Sequence, residues 1–377
     1  MRFLLPLSLS ILAVACDSGG DAVDDATNAD IGSVASDDIV REANVVITDE
    51  IQADVGVTTD VGFWSHPTLP YNGLLIAAGD AGLASFNIEF GEPIQRLSTR
   101  SIVSLDTVYL GVGPEAIAIL IASTPNGHVE AYSFDNLSRQ AGTVATASFQ
   151  LSPATGLCAH AVDNSAQGFL IANGSARPIA LMGNVQGGFN LSIEDGASYG
   201  ENLIDCAINH FDGETMFLDA NGDLLRIDGD GSLSVFAATD ASKPHSIDLV
   251  LSKTEQNETV ATYAVLDAST GTLTLVDNAG SKFATVSLAS SFDYSAAASA
   301  SGFGIGYGNY GGIYRNGMIA IAGQPTVDGQ PSGAISLGPW NGLAEALNRP
   351  LNGSVDPRSP TYVEEEESLI EIPVREP

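Results

Sequence analysis

Apolar and polar positions alternate along most of this chain, in short runs that end at Gly, Asn, Asp or Pro. Val129-Glu130-Ala131-Tyr132 shows the two-residue period of a half-buried strand, and almost no stretch keeps a 3.6-residue period beyond two turns. Residues 73–87, GLLIAAGDAGLASFN, read as a hairpin, because two apolar runs flank a tight Gly-Asp-Ala-Gly connection that permits positive φ.

That unit returns five more times, at 118–135, 168–181, 214–228, 261–277 and 317–337. The first apolar residues of the second strands, Leu83, Val129, Ile179, Leu224, Leu273 and Ile335, are 46, 50, 45, 49 and 62 residues apart. The last spacing is enlarged by a Pro-Gly-rich loop at 324–333. A period in this range with several short strands per unit is that of propeller blades. Each blade exposes an apolar face until a neighbour covers it, so the six units must close into one ring. The pattern therefore predicts an all-β, six-bladed β-propeller as a single domain over 51–360. Segments such as SIVSLDTVYL, TGLCAHAVD and ENLIDCAINH become the inner strands and loops near the channel.

The N-terminus departs from this pattern. Arg2 precedes a 13-residue apolar run, Phe3 to Ala15, too short to span a bilayer and followed at once by Cys16. Residues 1–15 read as a bacterial lipoprotein signal peptide with Cys16 as the lipid attachment site; plain secretory cleavage after Ala15 is the competing reading. Either route leads out of the cytoplasm, to a cell envelope location facing the periplasm or the exterior. Residues 17–50 are rich in Asp, Ala and Ser without one aromatic residue, so 16–50 is expected to be a flexible acidic tether. Residues 361–377 form an acidic C-terminal tail.

Charge narrows the partners. With 46 acidic against 14 basic residues the net charge is −32, which repels nucleic acid and anionic membrane surfaces. The membrane is reached through the N-terminal lipid instead. Once Cys16 is assigned to the lipid, Cys158 and Cys206 remain, either as one disulfide in an oxidising compartment or as two buried thiols.

Several segments resemble the β-propeller phytases, six-bladed calcium-dependent enzymes that remove phosphates from inositol hexakisphosphate. Asp60-Val-Gly-Phe-Trp64-Ser-His66-Pro67 resembles that family's Asp-Pro-Ala-Ile-Trp-x-His-Pro, and Gly82-Leu83 its following Gly-Leu. Val103-Ser-Leu-Asp106-Thr-Val-Tyr109 resembles Asn-Asn-Val-Asp-x-x-Tyr. Gly156-Leu157-Cys158 and Cys206 resemble two Cys-bearing inner segments. Gly317-Met-Ile-Ala-Ile, Trp340 and Asp356-Pro357-Arg358 resemble the last blade and closing segment. The resemblance runs in order over most of 54–358 and implies a 3-phytase-type phosphoric monoester hydrolase.

The departures fall on the chemistry that the resemblance implies. Phosphate-facing lysines are replaced by Gly79-Asp80, an Arg by Pro125, and two Asp by Ser299 and Ser301. Ile204-Asp205-Cys206 stands for a Glu-Gly-Cys segment. The surviving carboxylates, Asp60, Asp106, Asp219 and Asp248, form the metal set the resemblance implies for calcium. Arg100, Arg177 and Lys243 are candidate substitutes for the lost cations. Hydrolysis needs metal cluster and phosphate grip together, whereas binding needs only a subset. The expectation is a weakly active or inactive exported lipoprotein that binds a phosphorylated small molecule such as phytate, or a protein partner; the alternative is a fully active phytase using substitute cations.

Residues outside that set have plainer readings. Asp219-Ala-Asn221-Gly-Asp223, with Asp230 at the twelfth position, alternates oxygens as a calcium loop does, but Leu224 stands where such loops need Gly. A hairpin turn on Asn221-Gly222 is the favoured reading. His66, His128, His160, His210 and His245 lack metal-pair spacing, and Trp64 and Trp340 read as core.

Overall fold

A computed structural model describes residues 40–358 apart from 150–152, 184–187, 195–197, 230, 298, 324–325, 328–329, 332, 352–354 and 357. A separate first unit, Met1–Asp38, lies outside the described residues, and with it the expected signal segment and Cys16. The acidic tail and Asp230 also lie outside them.

Six blades follow one another along the chain. Blade one is the antiparallel sheet Thr58–Trp64, Leu74–Gly79, Gly82–Asn87 and Pro93–Ser98. Blade two runs Ser104–Leu110, Ile117–Ser123, His128–Phe134 and Ala141–Ser148, and blade three Ala154–Val162, Ser165–Ala172, Ser175–Gly183 and Phe189–Ile193. Blade four is Leu203–Ile208, Thr215–Asp219, Asp223–Ile227 and Leu233–Ala238; blade five is Pro244–Lys253, Thr259–Asp267, Thr272–Val276 and Lys282–Ala289. Blade six supplies Ala300–Gly306, Met318–Gly323 and Ala334–Pro339. The chain is a six-bladed β-propeller.

Ring closure comes from the N-terminal side. Asp49–Gln52 pairs antiparallel with Ala334–Pro339 as the outer strand of blade six, in register Ile51 to Ile335. Arg41–Val46 adds a parallel fifth strand to blade five, Val45 opposite Leu288. These strands correct the boundary expected at residue 51. The mean composition of 17–50 is that of a tether, but Val45 and Ile47 near its end, with Ile51 just beyond it, recur at strand-compatible spacing and are buried.

The core is divided among the blade interfaces. Separate buried clusters join blades six and one around Phe63 and Met318, one and two around Trp64 and Leu120, and two and three around Ile121 and Leu157. Others join three and four around Ile171 and Phe217, four and five around Leu218 and Tyr263, and five and six around Leu273 and Phe303. No blade buries its own faces alone, as the repeat implies.

The one α-helix among the described residues, Trp340–Leu347, leaves blade six at Pro339 and packs Trp340, Leu343 and Ala344 with Val45 in the five–six cluster. It ends at Asn348 in the left-handed region, φ 55°. Trp340 and Trp64 are core residues, the latter stacked on Phe134 at 5.1 Å.

Candidate functional site: an acidic channel closed by inter-blade clamps

The first strand of each blade packs on the first strands of its neighbours, so these six strands line the central channel. In five blades the pairing of first and second strand carries a bulge near its start. Counting from that point places Asp60, Gly156, Asp205, Ser246 and Gly302 at equivalent positions in blades one and three to six; in blade two, which has no bulge, Ser104 takes that place, since it precedes the Leu105 N–H bonded to Asp60 as Ser246 precedes the Ile247 N–H bonded to Asp205. Two residues onward stand Gly62, Asp106, Cys158, Ala207, Asp248 and Gly304. The first level repeats after three blades as Asp, Ser, Gly, which sets Asp60 opposite Asp205 in blade order and Asp106 opposite Asp248.

Each aspartate reaches across to the next blade. Asp60 Oδ1 accepts the Val61 N–H at 2.8 Å and Oδ2 the Leu105 N–H of blade two at 2.9 Å. Asp106 Oδ1 accepts Thr107 N–H and Oδ2 the Ala159 N–H of blade three, both at 2.7 Å. Asp205 Oδ2 takes the Ile247 N–H of blade five at 3.0 Å. Asp248 Oδ1 takes Leu249 N–H at 2.7 Å, and its charged form is also favoured by the Ile305 N–H of blade six. Three of the six inner junctions are therefore tied by a carboxylate hydrogen-bonded to a backbone donor, and at a fourth Asp248 faces the Ile305 N–H.

Glycine serves the other two. A Cβ on Gly156 would come within 2.4 Å of Asp205 Oδ1 and 2.7 Å of its Cα, and one on Gly302 within 2.7 Å of Thr59 O and 2.8 Å of Asp60 Cα. Only a residue without a side chain permits that approach. Beside the first of these junctions Cys158 and Cys206 are joined as a disulfide, Cα to Cα 5.5 Å, binding blade three to blade four.

The four aspartates line one cavity of about 110 Å³, together with Phe63, Leu105, Leu249, Phe303, Tyr307 and Tyr310 among others. Burial pushes Asp60 up to about 7, Asp106 up to about 6 and Asp248 up to about 8, with neighbouring aspartates adding to the shift at Asp60 and Asp248. Asp205 is raised well above the carboxylate range, first by burial and then by Asp60. No Lys or Arg is among the described residues lining the cavity.

Val355 and Arg358, from the C-terminal side of the chain, lie toward the far end of the inner strands. Val355 is buried in the four–five cluster, and Arg358 sits over the Tyr109 ring at 5.3 Å. Its guanidinium donates to Ser65 O and to Asp356 Oδ1, the latter at 3.1 Å, while its own carbonyl accepts Gly113 N–H. Ser65 in turn is held by the Tyr109 and Tyr310 hydroxyls. Arg358 lines a second, outward cavity with His210 and Asp163.

Of the residues expected from sequence to hold a metal, Asp60, Asp106 and Asp248 come to the channel. Asp219 does not: it ends the second strand of blade four, where Oδ1 accepts Asn221 and Asp223 N–H and Oδ2 the Asn221 amide. Its short side chain stabilises the tight turn locally, the favoured reading of that segment. Calcium takes about six to eight oxygens, and the expected set does not fit one ion. Its carboxylates are committed to backbone donors, and among the described residues no three His, Cys, Asp or Glu converge as ligands. Of the three candidate cations, Arg100 pairs with Glu130 at 2.6 Å, Arg177 lies over Phe149, and none of them, Lys243 included, lines the channel.

His66 is structural. Its Nδ1 accepts Thr68 and Leu69 N–H, so Nε2 carries the proton and donates to Asn136 O at 2.8 Å, joining loops of blades one and two. Asp205, Ser246 and Arg358 were not singled out as channel residues from sequence. A signal existed for the first: Asp205 stands at the place in the repeat that Asp60 holds in blade one, and Asp106 and Asp248 stand two residues beyond it in theirs.

No family model matches this chain, and no curated protein matches it in sequence. Among solved structures it is similar to the WD40 repeats of RRP9, at 10% identity and TM-score 0.45, covering 76% of this chain and 96% of that one. It is also similar to BBS1N in complex with ARL6DN, at 10% identity and TM-score 0.41, covering 70% of this chain and 73% of that one.

Proposed function

We propose that this propeller is a non-catalytic binding module of phytase-like descent, exported and lipid-anchored at Cys16 on the cell envelope. The observation that carries the first part is the commitment of the channel carboxylates. Asp60, Asp106, Asp205 and Asp248 hold neighbouring backbones together, and no described Lys or Arg faces the same cavity. A polyanionic phosphate ester would meet desolvated carboxyl groups there, with no cationic side chain among the described lining residues to neutralise its oxygens. The substitutions Gly79-Asp80, Pro125, Ser299 and Ser301 agree with this, since they remove the phosphate grip that the resemblance implies.

The extracytoplasmic location is supported by the buried Cys158–Cys206 bond, which suits an oxidising compartment. The catalytic question is tested by phosphate release from phytate with calcium present: a non-catalytic module gives none above the calcium-only control.

A further inference from the structure

In each antiparallel blade the connection between first and second strands emerges at the same end as that between third and fourth. At that end of blades one, two and six the loops present large apolar side chains to solvent: Leu69, Tyr71, Val112, Leu137, Ile313 and, past the helix, Leu351. Leu137 is 97% exposed and Val112 69%. The loops touch one another. His66 accepts Leu69 N–H and donates to the carbonyl of Asn136, the residue before Leu137. A Cβ on Gly311 would stand 3.4 Å from Tyr71 Cβ, which seats the blade-one loop against that of blade six. Ile313 and Leu351 line one surface cavity with Arg315. Apolar surface gathered in this way marks a place that another segment or molecule covers.

Arg358 selects what covers it. It is anchored among these loops: its carbonyl accepts Gly113 N–H at 3.2 Å, next to Val112, and its guanidinium donates to Ser65 O, next to His66. Residues 359–377, SPTYVEEEESLIEIPVREP, follow directly. They reach at most about 60 Å when extended, enough to cross from blade two to blade six. Tethering raises their local concentration to about millimolar, so weak contacts suffice.

The chemistry of the two surfaces matches. Ile370, Ile372 and Val374 recur at the two-residue period of an extended chain, and Glu364 to Glu367 precede them. The receiving loops, 65–73, 111–116, 135–140 and 307–317, carry two basic residues, Arg139 and Arg315, against two acidic ones, Glu115 and Asp135, on a chain with 14 basic and 46 acidic. Asp135 is taken up by Leu137 and Ser138 N–H, while among the described residues neither arginine has a carboxylate in ion-pair range. The charges of Arg139 and Arg358 both bear on His66, so Arg139 stands near the point where the segment begins.

We propose that segment 359–377 folds back over this loop face as its built-in cover, with Glu364 to Glu367 beside Arg139 and Leu369 to Val374 on Tyr71, Ile313 and Leu351. A partner that uses the same face has to displace it.

Photo-cross-linking of the intact chain in dilute solution tests this, with Ile370 replaced by p-benzoylphenylalanine and the products mapped by mass spectrometry. Links within one chain to 65–73 or 307–317 are expected. A Tyr71→Asp, Ile313→Asp double variant is expected to lower their yield by about tenfold with an unchanged circular dichroism spectrum. Phe292→Asp, at an exposed site between blades five and six, should leave the yield as it is. Links that join two chains assign the face to a second copy and overturn the proposal. Links confined to other segments, no links, or a yield that the double variant does not change overturn it as well. None of these outcomes bears on phytate hydrolysis, because no channel carboxylate takes part.

Discussion

Asp60 Oδ2 accepts the Leu105 N–H at 2.9 Å, and this single bond joins the innermost strand of blade one to that of blade two. Leu105 is buried, so water does not replace the acceptor when it is lost. Asp60→Ala should destabilise the propeller by about 1–3 kcal/mol, the cost of an unsatisfied buried donor. Asp60→Asn keeps a carbonyl oxygen in place and should cost much less. Urea unfolding of the two variants checks the difference.

Stability should fall as pH rises. Asp60, Asp106 and Asp248 have folded-state pKa values of about 7, 6 and 8 against 3.8 for the free carboxyl, and Asp205 is raised too. The folded state thus holds protons that the unfolded state releases. Their contribution is fully present below about pH 4 and is lost as pH climbs through the folded values. Tyr307, Tyr109, Tyr310 and His210 line the same cavity, and Arg358 touches Tyr109. Burial raises the tyrosines, which stay neutral between pH 5 and 8, and holds His210 down to about 4, so the unfolded imidazole gains a proton below about 6.5 that the folded one refuses; that opposes the slope of the three carboxyls and is smaller than their sum. The melting temperature should be higher at pH 5 than at pH 8, and an Asp205→Asn, Asp248→Asn double variant should flatten that slope.

The Cys158–Cys206 bond closes a loop with a sequence separation of 48. Replacing both residues by Ala should cost about 3–4 kcal/mol on the loop-entropy account. Denaturant unfolding of the double variant against the parent, without reductant, measures it.

Arg358 is a buried cation, bonded to Ser65 O and Asp356 and laid over Tyr109. Arg358→Ala should destabilise by about 2–4 kcal/mol, from lost charge-assisted bonds and lost packing. Arg358→Lys should recover little of it, because an ammonium lacks the planar fork. Thermal unfolding of both variants separates fork from charge.

The hairpins and the ring were legible because they depend on two-residue alternation and turn chemistry. Gly79 and Gly82 pair across Asp80-Ala81 where the sequence places the turn. The N-terminal strands were hidden because an average over 17–50 dilutes Val45 and Ile47 among acidic residues. Trp340–Leu347 escaped notice because eight residues amount to little more than two turns of periodicity. The channel was half legible. Asp60, Asp106 and Asp248 were found through resemblance, while Asp205 was read as a substitution because what it does is fixed by a donor on another blade, Ile247, which no local pattern reveals. Asp219 shows the converse, its carboxylate being consumed by its own turn.

On the proposed reading, the channel carboxylates hold blades together instead of serving phosphate chemistry. The most direct measurement is inorganic phosphate released from inositol hexakisphosphate by the intact chain, with and without calcium, over hours at micromolar protein. A clamp-lined channel predicts release indistinguishable from the calcium-only control. Calcium-dependent release proportional to protein, abolished by Asp60→Asn or Asp248→Asn without loss of fold, would contradict it.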